Sequence, residues 1–173
     1  MDLEQLKYPI GQFIMPEVFH ETQANLWIAE IETLPSQIIA ATENLTDHQL
    51  NQPYRPGGWT LRQVIHHLPD SHMNAYIRFK QAITEDIPVI RPYYEERWAE
   101  TEEAKNGEIK MSLELLVSIH QRWVAFLKTL NSADYQREYI HPALGRALTL
   151  ANMLGTYAWH GKHHLAHITN SIK

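Results

Sequence analysis

The chain contains no cysteine, and this absence narrows the chemistry that its 173 residues can carry. Without cysteine there are no disulfide bonds, no thiolate nucleophiles and no cysteine-based zinc sites. Histidine, aspartate and glutamate are the side chains left to bind a metal ion. Any metal site in this chain is therefore expected to have nitrogen and oxygen ligands.

A surplus of positive charge and a long apolar run are also missing. Lysine and arginine number 15 against 20 acidic residues, a net charge of −5, so no basic surface for nucleic acid or for an anionic membrane is expected. No apolar run approaches the roughly 18 residues of a membrane-spanning helix, and the first residues lack the basic-then-apolar pattern of a signal peptide. We therefore expect a cytoplasmic protein that acts on a small molecule, with no nucleic-acid or membrane partner.

The length and hydrophobic content predict one domain. A chain of 173 residues that is 44% hydrophobic can bury one substantial core and is too short for two. We expect a single domain over residues 1–173.

Four amphipathic segments predict four long helices. Apolar residues recur at three- and four-residue steps from Thr22 to about Asn44, from Thr60 to about Glu85, from Ser112 to about Asn131 and from Thr149 to about Ser171. Thr60 and Gln63 have the spacing of a capping box, and Ser112 and Thr149 are predicted N-caps. The pattern indicates an all-α four-helix bundle, a fold in which metal sites form between facing helices.

The remaining segments are predicted to be irregular. Residues 1–19 show no sustained period, so no helix is expected there. Pro35 should kink or split the first long helix. Pro88 to Gly107 should form a long surface loop of the kind that often borders a site, and Tyr135 to Leu148 fits a short hairpin.

Two histidine clusters far apart in the sequence suggest a metal site. Histidines scattered at this frequency, 11 in 173, produce about 0.7 pairs at i,i+4 by composition alone, so spacing by itself is weak evidence. His160 and His164, however, fall on the inward stripe of the last helix, formed by Leu150, Met153, Tyr157, His160, His164, Ile168 and Ile172. A divalent ion would give both imidazoles a partner and leave a position for water or substrate. The alternative is a pair of core histidines satisfied by hydrogen bonds.

The third ligand is expected from the second long helix, which carries His66 and His67. His67 lies on the flank of the apolar stripe and His66 points about a third of a turn away, but the pattern does not fix the choice. Pro69 predicts a kink beside the site.

Other polar residues near these histidines have weaker claims. His163 and His167 are interpreted as outer partners of the ligands or as surface residues, and Asp70 either orients an imidazole or is a solvated charge. The zincin motif has a glutamate after its first histidine, where this chain has Gly161, so protease chemistry of that type is disfavoured. No functional role is predicted for His20, His48, His72, His120 and His141.

Taken together, these segments resemble the DinB/YfiT-like family of metal-binding four-helix bundles, and within it the YfiT metal-dependent hydrolases. The resemblance rests on GGWTLRQVIHHL at 57–68 and HGKHHLAHI at 160–168, and it extends to YPIG at 8–11, PYR at 53–55, DSHMN at 70–74 and IRPY at 90–93.

The resemblance implies a metal triad of one histidine directly before a leucine in the second helix and two histidines four apart in the last. These positions correspond to His67, His160 and His164. The resemblance also implies zinc or nickel as the ion, a cytoplasmic location and a homodimer. Pro69 departs from the small residue expected after the His-Leu pair.

Three hypotheses of function follow. The leading one is a metal-dependent hydrolase whose ion activates water; the second is transfer of a low-molecular-weight thiol, as in related bacillithiol-type transferases, at the same site. The third is a non-catalytic bundle stabilised by metal, which a fourth protein ligand would favour.

Overall fold

The structure, a computed structural model, describes residues 2–172. Four long helices form the body of this part of the chain. The helices of the chain are α1 (Leu3–Lys7), α2 (Glu21–Thr42), α3 (Asp47–Leu50), α4 (Leu61–Thr84), α5 (Glu95–Trp98), α6 (Glu102–Asn106), α7 (Ile109–Leu127) and α8 (Leu150–Ser171), with a 3₁₀ turn at Asp134–Gln136. The strands β1 (Glu138–His141) and β2 (Arg146–Thr149) precede α8. The predicted all-α four-helix bundle with a short hairpin is confirmed.

The long helices close a ring in which each contacts two neighbours, in the order α2, α8, α4, α7. The last helix therefore lies between the first two long ones. Gly161 allows this close approach, because a Cβ there would lie 2.4 Å from Leu34 Cδ2 of α2. Leu34 is itself buried and has little room to move. This order sets the histidines of α8 against those of α4.

Side-chain caps mark where two of the four long helices begin. Thr60 and Gln63 form the predicted capping box at α4, and the side chain of Thr149 accepts from the Asn152 amide at α8. The prediction for Ser112 was wrong, because α7 begins at Ile109 and the Ser112 hydroxyl contacts an imidazole instead.

One further prediction about helices was wrong, and another was wrong in part. Residues 3–7 form α1, because Asp2 and Gln5 make a capping box that satisfies the first free amides. Pro35 does not split α2, which runs unbroken from Glu21 to Thr42. Likewise α4 continues past Pro69.

The segment from Pro88 to Gly107 is more ordered than a loop, since it contains α5 and α6. The carbonyl of Ala99 accepts a 2.7 Å hydrogen bond from Gln63 Nε2, and Ile90 pairs with Ile140 of the hairpin. These contacts fix the segment against α4, beside the histidines.

Candidate metal centre

The structure brings together the three histidines predicted as ligands. One ring nitrogen from each of His67, His160 and His164 lies within 4.8 Å of the other two. His67 Nε2 and His160 Nε2 are 3.1 Å apart. Two nitrogens at about 2.1 Å from a common ion are roughly 3.0–3.4 Å apart in ordinary coordination angles, so this geometry fits a divalent metal. Their role as ligands stays a prediction.

Each of these three imidazoles has an outer partner at Nδ1. The contacts are His67 Nδ1 with Tyr93 Oη at 3.3 Å, His160 Nδ1 with His72 Nε2 at 3.0 Å, and His164 Nδ1 with His167 Nδ1 at 3.3 Å. Metal-binding histidines commonly use the second ring nitrogen in this way, because the outer bond fixes the orientation of the ring. The arrangement leaves Nε2 as the atom that can bind an ion.

The position of one hydrogen on His164 follows from its neighbours. His167 Nε2 lies 3.1 Å from the carbonyl oxygen of Lys7, which can only accept, so this nitrogen carries the hydrogen. In neutral His167 the other nitrogen, Nδ1, is then an acceptor and receives the Nδ1 hydrogen of His164. The lone pair of His164 is thereby placed on Nε2. The arm that contains α1 helps to orient a candidate ligand.

Burial keeps the cluster neutral at pH 7. It lowers the pKa of His67 to about 4, assisted by the nearby His163, and it lowers the pKa values of His160 and His164 well below the usual range. Neutral imidazole is the form that binds a metal ion, so the histidines need not lose protons at neutral pH.

A second group of nitrogens within 4.8 Å is formed by His163, His164 and His167. His163 stacks on Trp159 and His167 on Tyr54, with ring centroids 4.5 and 3.9 Å apart. Both nitrogens of His167 make hydrogen bonds, and so do both nitrogens of His67 and of His160, so hydrogen bonding does not separate the two groups. The family resemblance implies the first group, and that assignment stays a prediction. His163 and His167 are buried, so the surface alternative for them is wrong.

The other residues considered from the sequence lie apart from the triad. His66 faces α7, with Nδ1 2.7 Å from Ser112 Oγ and Nε2 3.2 Å from the Gly107 carbonyl. Burial, and then Glu103, raises the pKa of Asp70 to about 6. Within residues 2–172 the Asp70 carboxylate makes no hydrogen bond to an imidazole, so the orienting role has no support.

Sequence reasoning missed the two histidines that stand behind His160. His72 and His120 are buried in the bundle and hydrogen-bonded to each other at 2.8 Å. It also missed Tyr93, which reaches His67 from the segment before α5. His120 did carry a signal, because it lies between Leu116 and Trp123 on the buried stripe of α7.

The triad lines a cavity of about 890 Å³, a size typical of small-molecule sites. Aromatic walls come from Tyr54, Trp59 and Tyr93, and acidic side chains come from Glu95, Glu96 and Glu100. Lys7, Arg55 and Arg78 supply positive charge. The histidines therefore face a space with mixed charge that can admit a polar organic molecule.

No helix within residues 2–172 combines the length and hydropathy needed to cross a bilayer.

Comparison with known proteins shows which family this chain resembles. A family profile described as the DinB superfamily matches residues 30–168. The YfiT protein of Bacillus subtilis strain 168, whose name describes it as a candidate metal-dependent hydrolase, is 48% identical over 164 residues, covering 95% of this chain and 92% of its own length. A protein of Bacillus cereus strain 03BB102 with a similar name is 49% identical over 171 residues, covering 99% and 98%.

A solved structure of YfiT from Bacillus subtilis, described as having an unusual four-helix bundle topology, superposes with a TM-score of 0.94 at 47% identity. It covers 96% of this chain and 95% of its own. The agreement in sequence and in fold extends over nearly the whole chain. The chain therefore belongs to the DinB superfamily, among the YfiT-like proteins.

Proposed function

We propose that this protein is a metal-dependent hydrolase in which His67, His160 and His164 hold a zinc or nickel ion. The observation that carries the proposal is the convergence of three neutral imidazoles at a cavity wall, each with its Nδ1 occupied by a partner. The names of the relatives support the same activity.

The donor set favours a catalytic site over a structural one. Among residues 2–172 the group contains three protein nitrogens and no fourth member. Structural zinc sites have four protein ligands, whereas catalytic sites keep a position for water or substrate. A bound ion with such a position would lower the pKa of a coordinated water and supply a nucleophile near neutral pH.

The chain's own residues would orient the substrate. Tyr93 lines the cavity, and its hydroxyl lies 3.3 Å from His67 Nδ1. Arg78 lines the same space, with its guanidinium held by the Tyr157 hydroxyl at 3.3 Å and the Arg91 carbonyl at 3.0 Å. A small polar substrate is therefore proposed, bound between these side chains and the imidazoles.

The size of the cavity favours a second candidate, thiol transfer. About 890 Å³ lies near the upper end of the usual range for small-molecule sites and leaves room for a thiol beside an electrophile. The same three histidines would then hold an ion that stabilises a thiolate.

One set of assays tests both proposals. Purified protein loaded with zinc or nickel, the chelator-treated protein and His67→Ala are each given an activated ester, an activated amide, and a chlorinated aromatic with and without added thiol. Hydrolysis that needs metal and no thiol supports the first proposal, and metal-dependent turnover that needs thiol supports the second. Equal inactivity with and without metal, together with cobalt-substituted protein whose visible spectrum does not respond to azide, would indicate a closed structural site.

The expected homodimer stays a prediction. Sedimentation equilibrium of the full chain measures it directly.

A further inference from the structure

Three imidazoles form a hydrogen-bonded chain from the cavity into the centre of the bundle. His160 Nδ1 lies 3.0 Å from His72 Nε2, and His72 Nδ1 lies 2.8 Å from His120 Nε2. His120 Nδ1 lies 2.7 Å from the carbonyl oxygen of Ile31. The chain begins on α8, passes through α4 and α7, and ends on α2, so it joins all four long helices.

The carbonyl at the inner end fixes every hydrogen in this chain. A carbonyl oxygen only accepts, so His120 Nδ1 carries the hydrogen and, in the neutral ring, His120 Nε2 is an acceptor. His72 must then donate from Nδ1 and accept at Nε2. His160 must therefore donate from Nδ1, which leaves its lone pair on Nε2, the atom 3.1 Å from His67 Nε2.

Pro35 explains why this carbonyl is available. In an α-helix the carbonyl of residue i accepts from the amide of residue i+4, which for Ile31 is residue 35. Proline has no amide hydrogen, so Pro35 cannot make this bond. His120 donates to the Ile31 carbonyl from the neighbouring helix in its place.

We infer that His72 and His120 are positioning residues that hold His160 in its Nδ1–H form with the Nε2 lone pair directed at the metal site. The expected effect on metal affinity rests on the proposed function. The position of the hydrogen on His160 is a property of the metal-free polypeptide and does not depend on that function.

A bland alternative is that His72 and His120 only fill space in the core. Both are almost completely buried, with 0% and 2% of their surface exposed, and each packs against Trp123. A space-filling role depends on side-chain volume, whereas a positioning role depends on a donor and an acceptor in the correct order. The two roles therefore respond differently to apolar and polar replacements.

The first test compares replacements at position 72. His72→Leu removes the acceptor for His160, whereas His72→Gln keeps an oxygen acceptor and an N–H donor. We expect zinc affinity, measured by competition with a chromophoric chelator, to fall about 10- to 100-fold in His72→Leu and to recover most of that loss in His72→Gln. Equal losses in both variants, or no loss in either, would overturn the inference.

His66→Leu is the matched control. His66 is also a buried histidine of α4 hydrogen-bonded to a residue of α7, yet it lies outside the chain of imidazoles. We expect this variant to lose thermal stability while its zinc affinity stays within about threefold of the original. If zinc affinity fell as far as in His72→Leu, the effect at position 72 would be one of general packing.

The second test reads the hydrogens directly. Long-range ¹H–¹⁵N correlation spectra of chelator-treated protein with ¹⁵N-labelled histidine distinguish the two neutral forms of each ring. In the original protein we expect Nδ1–H signals for His160, His72 and His120. In His72→Gln, His160 should shift partly to the Nε2–H form only if this replacement fails to restore zinc affinity. An Nε2–H form of His160 in the original protein would overturn the inference.

The two tests separate this inference from the proposed function. If the protein bound neither zinc nor nickel, the proposed function would fail while the spectra still decided the state of His160. If the protein bound zinc but His160 carried its hydrogen on Nε2 before binding, the positioning role would fail while the metal site stood.

Discussion

His67 Nε2 lies 3.1 Å from His160 Nε2, although 93 positions of sequence separate the two residues. Two nitrogen lone pairs at this distance repel unless a hydrogen or an ion lies between them. The hydrogen-bonded chain behind His160 places a lone pair on its Nε2. The two Nε2 atoms can therefore bind one cation between them, or His67 can donate one hydrogen to His160.

Replacing histidines of α8 one at a time should distinguish the two possible groups. We predict that His160→Ala or His164→Ala lowers zinc occupancy far more than His163→Ala, because the His163 ring stacks on Trp159 instead of completing the triad. Metal analysis of the purified variants by mass spectrometry measures this. A loss in His163→Ala as severe as in His164→Ala would assign the site to the second group.

The neighbouring histidines of α4 should show opposite effects. His67→Ala is expected to lose metal, whereas His66→Ala should keep metal and lose about 1–3 kcal/mol of stability, because the Ser112 hydroxyl loses its hydrogen bond to the imidazole. The Gly107 carbonyl keeps its hydrogen bond from Arg62. Zinc analysis and urea unfolding of both variants check the prediction. Metal loss in His66→Ala with full occupancy in His67→Ala would reverse the assignment.

Acid should destabilise the metal-free protein through its buried imidazoles. The folded chain holds the pKa of His67 at about 4 and that of His120 at about 4, below the ordinary 6.5, mainly because of burial. Below pH 6.5 the unfolded chain takes up protons that the folded chain does not, so stability is full above pH 6.5 and falls as the pH drops toward 4. His67 alone contributes on the order of 3 kcal/mol to this loss.

Urea unfolding of chelator-treated protein between pH 4 and pH 8 measures this dependence. The slope should be shallower in His67→Phe, which removes one of the titrating groups. A free energy of unfolding that stays constant from pH 7 to pH 4.5 would contradict the prediction.

Pro35→Ala should separate stability from metal affinity. Alanine restores an amide that can bond the Ile31 carbonyl and removes a residue unfavourable inside a helix, so stability should rise by about 1–3 kcal/mol. The new amide also competes with His120 for that carbonyl, and zinc affinity should fall several-fold. Thermal unfolding and chelator competition measure the two effects, and a drop in stability would contradict this account.

The sequence predicted what depends on local pattern. The four helices follow from apolar periodicity, and the start of α4 follows from the three-residue spacing of Thr60 and Gln63. The same spacing is present at Asp2 and Gln5, so α1 was predictable and was missed because the segment is short. Pairing of His160 with His164 needed only the period of one helix.

Contacts between helices were harder to predict because they depend on how the helices are arranged around the bundle. His72 and His120 are 48 positions apart, and neither has a local pattern that names its partner. His120 still offered a clue, since a neutral imidazole on a buried stripe needs a hydrogen-bond partner. That reasoning led to His160 and would have applied equally to His120.

The partners of the candidate ligands are a phenol and imidazoles, and the chains that follow from His160 and His164 end on backbone carbonyls. Within residues 2–172 no carboxylate hydrogen-bonds to the triad. A divalent ion at this site would therefore keep nearly its full double charge, since neither its ligands nor their partners neutralise it. Such a centre should attract small anions strongly, and acetate or phosphate buffers should compete with substrate for it.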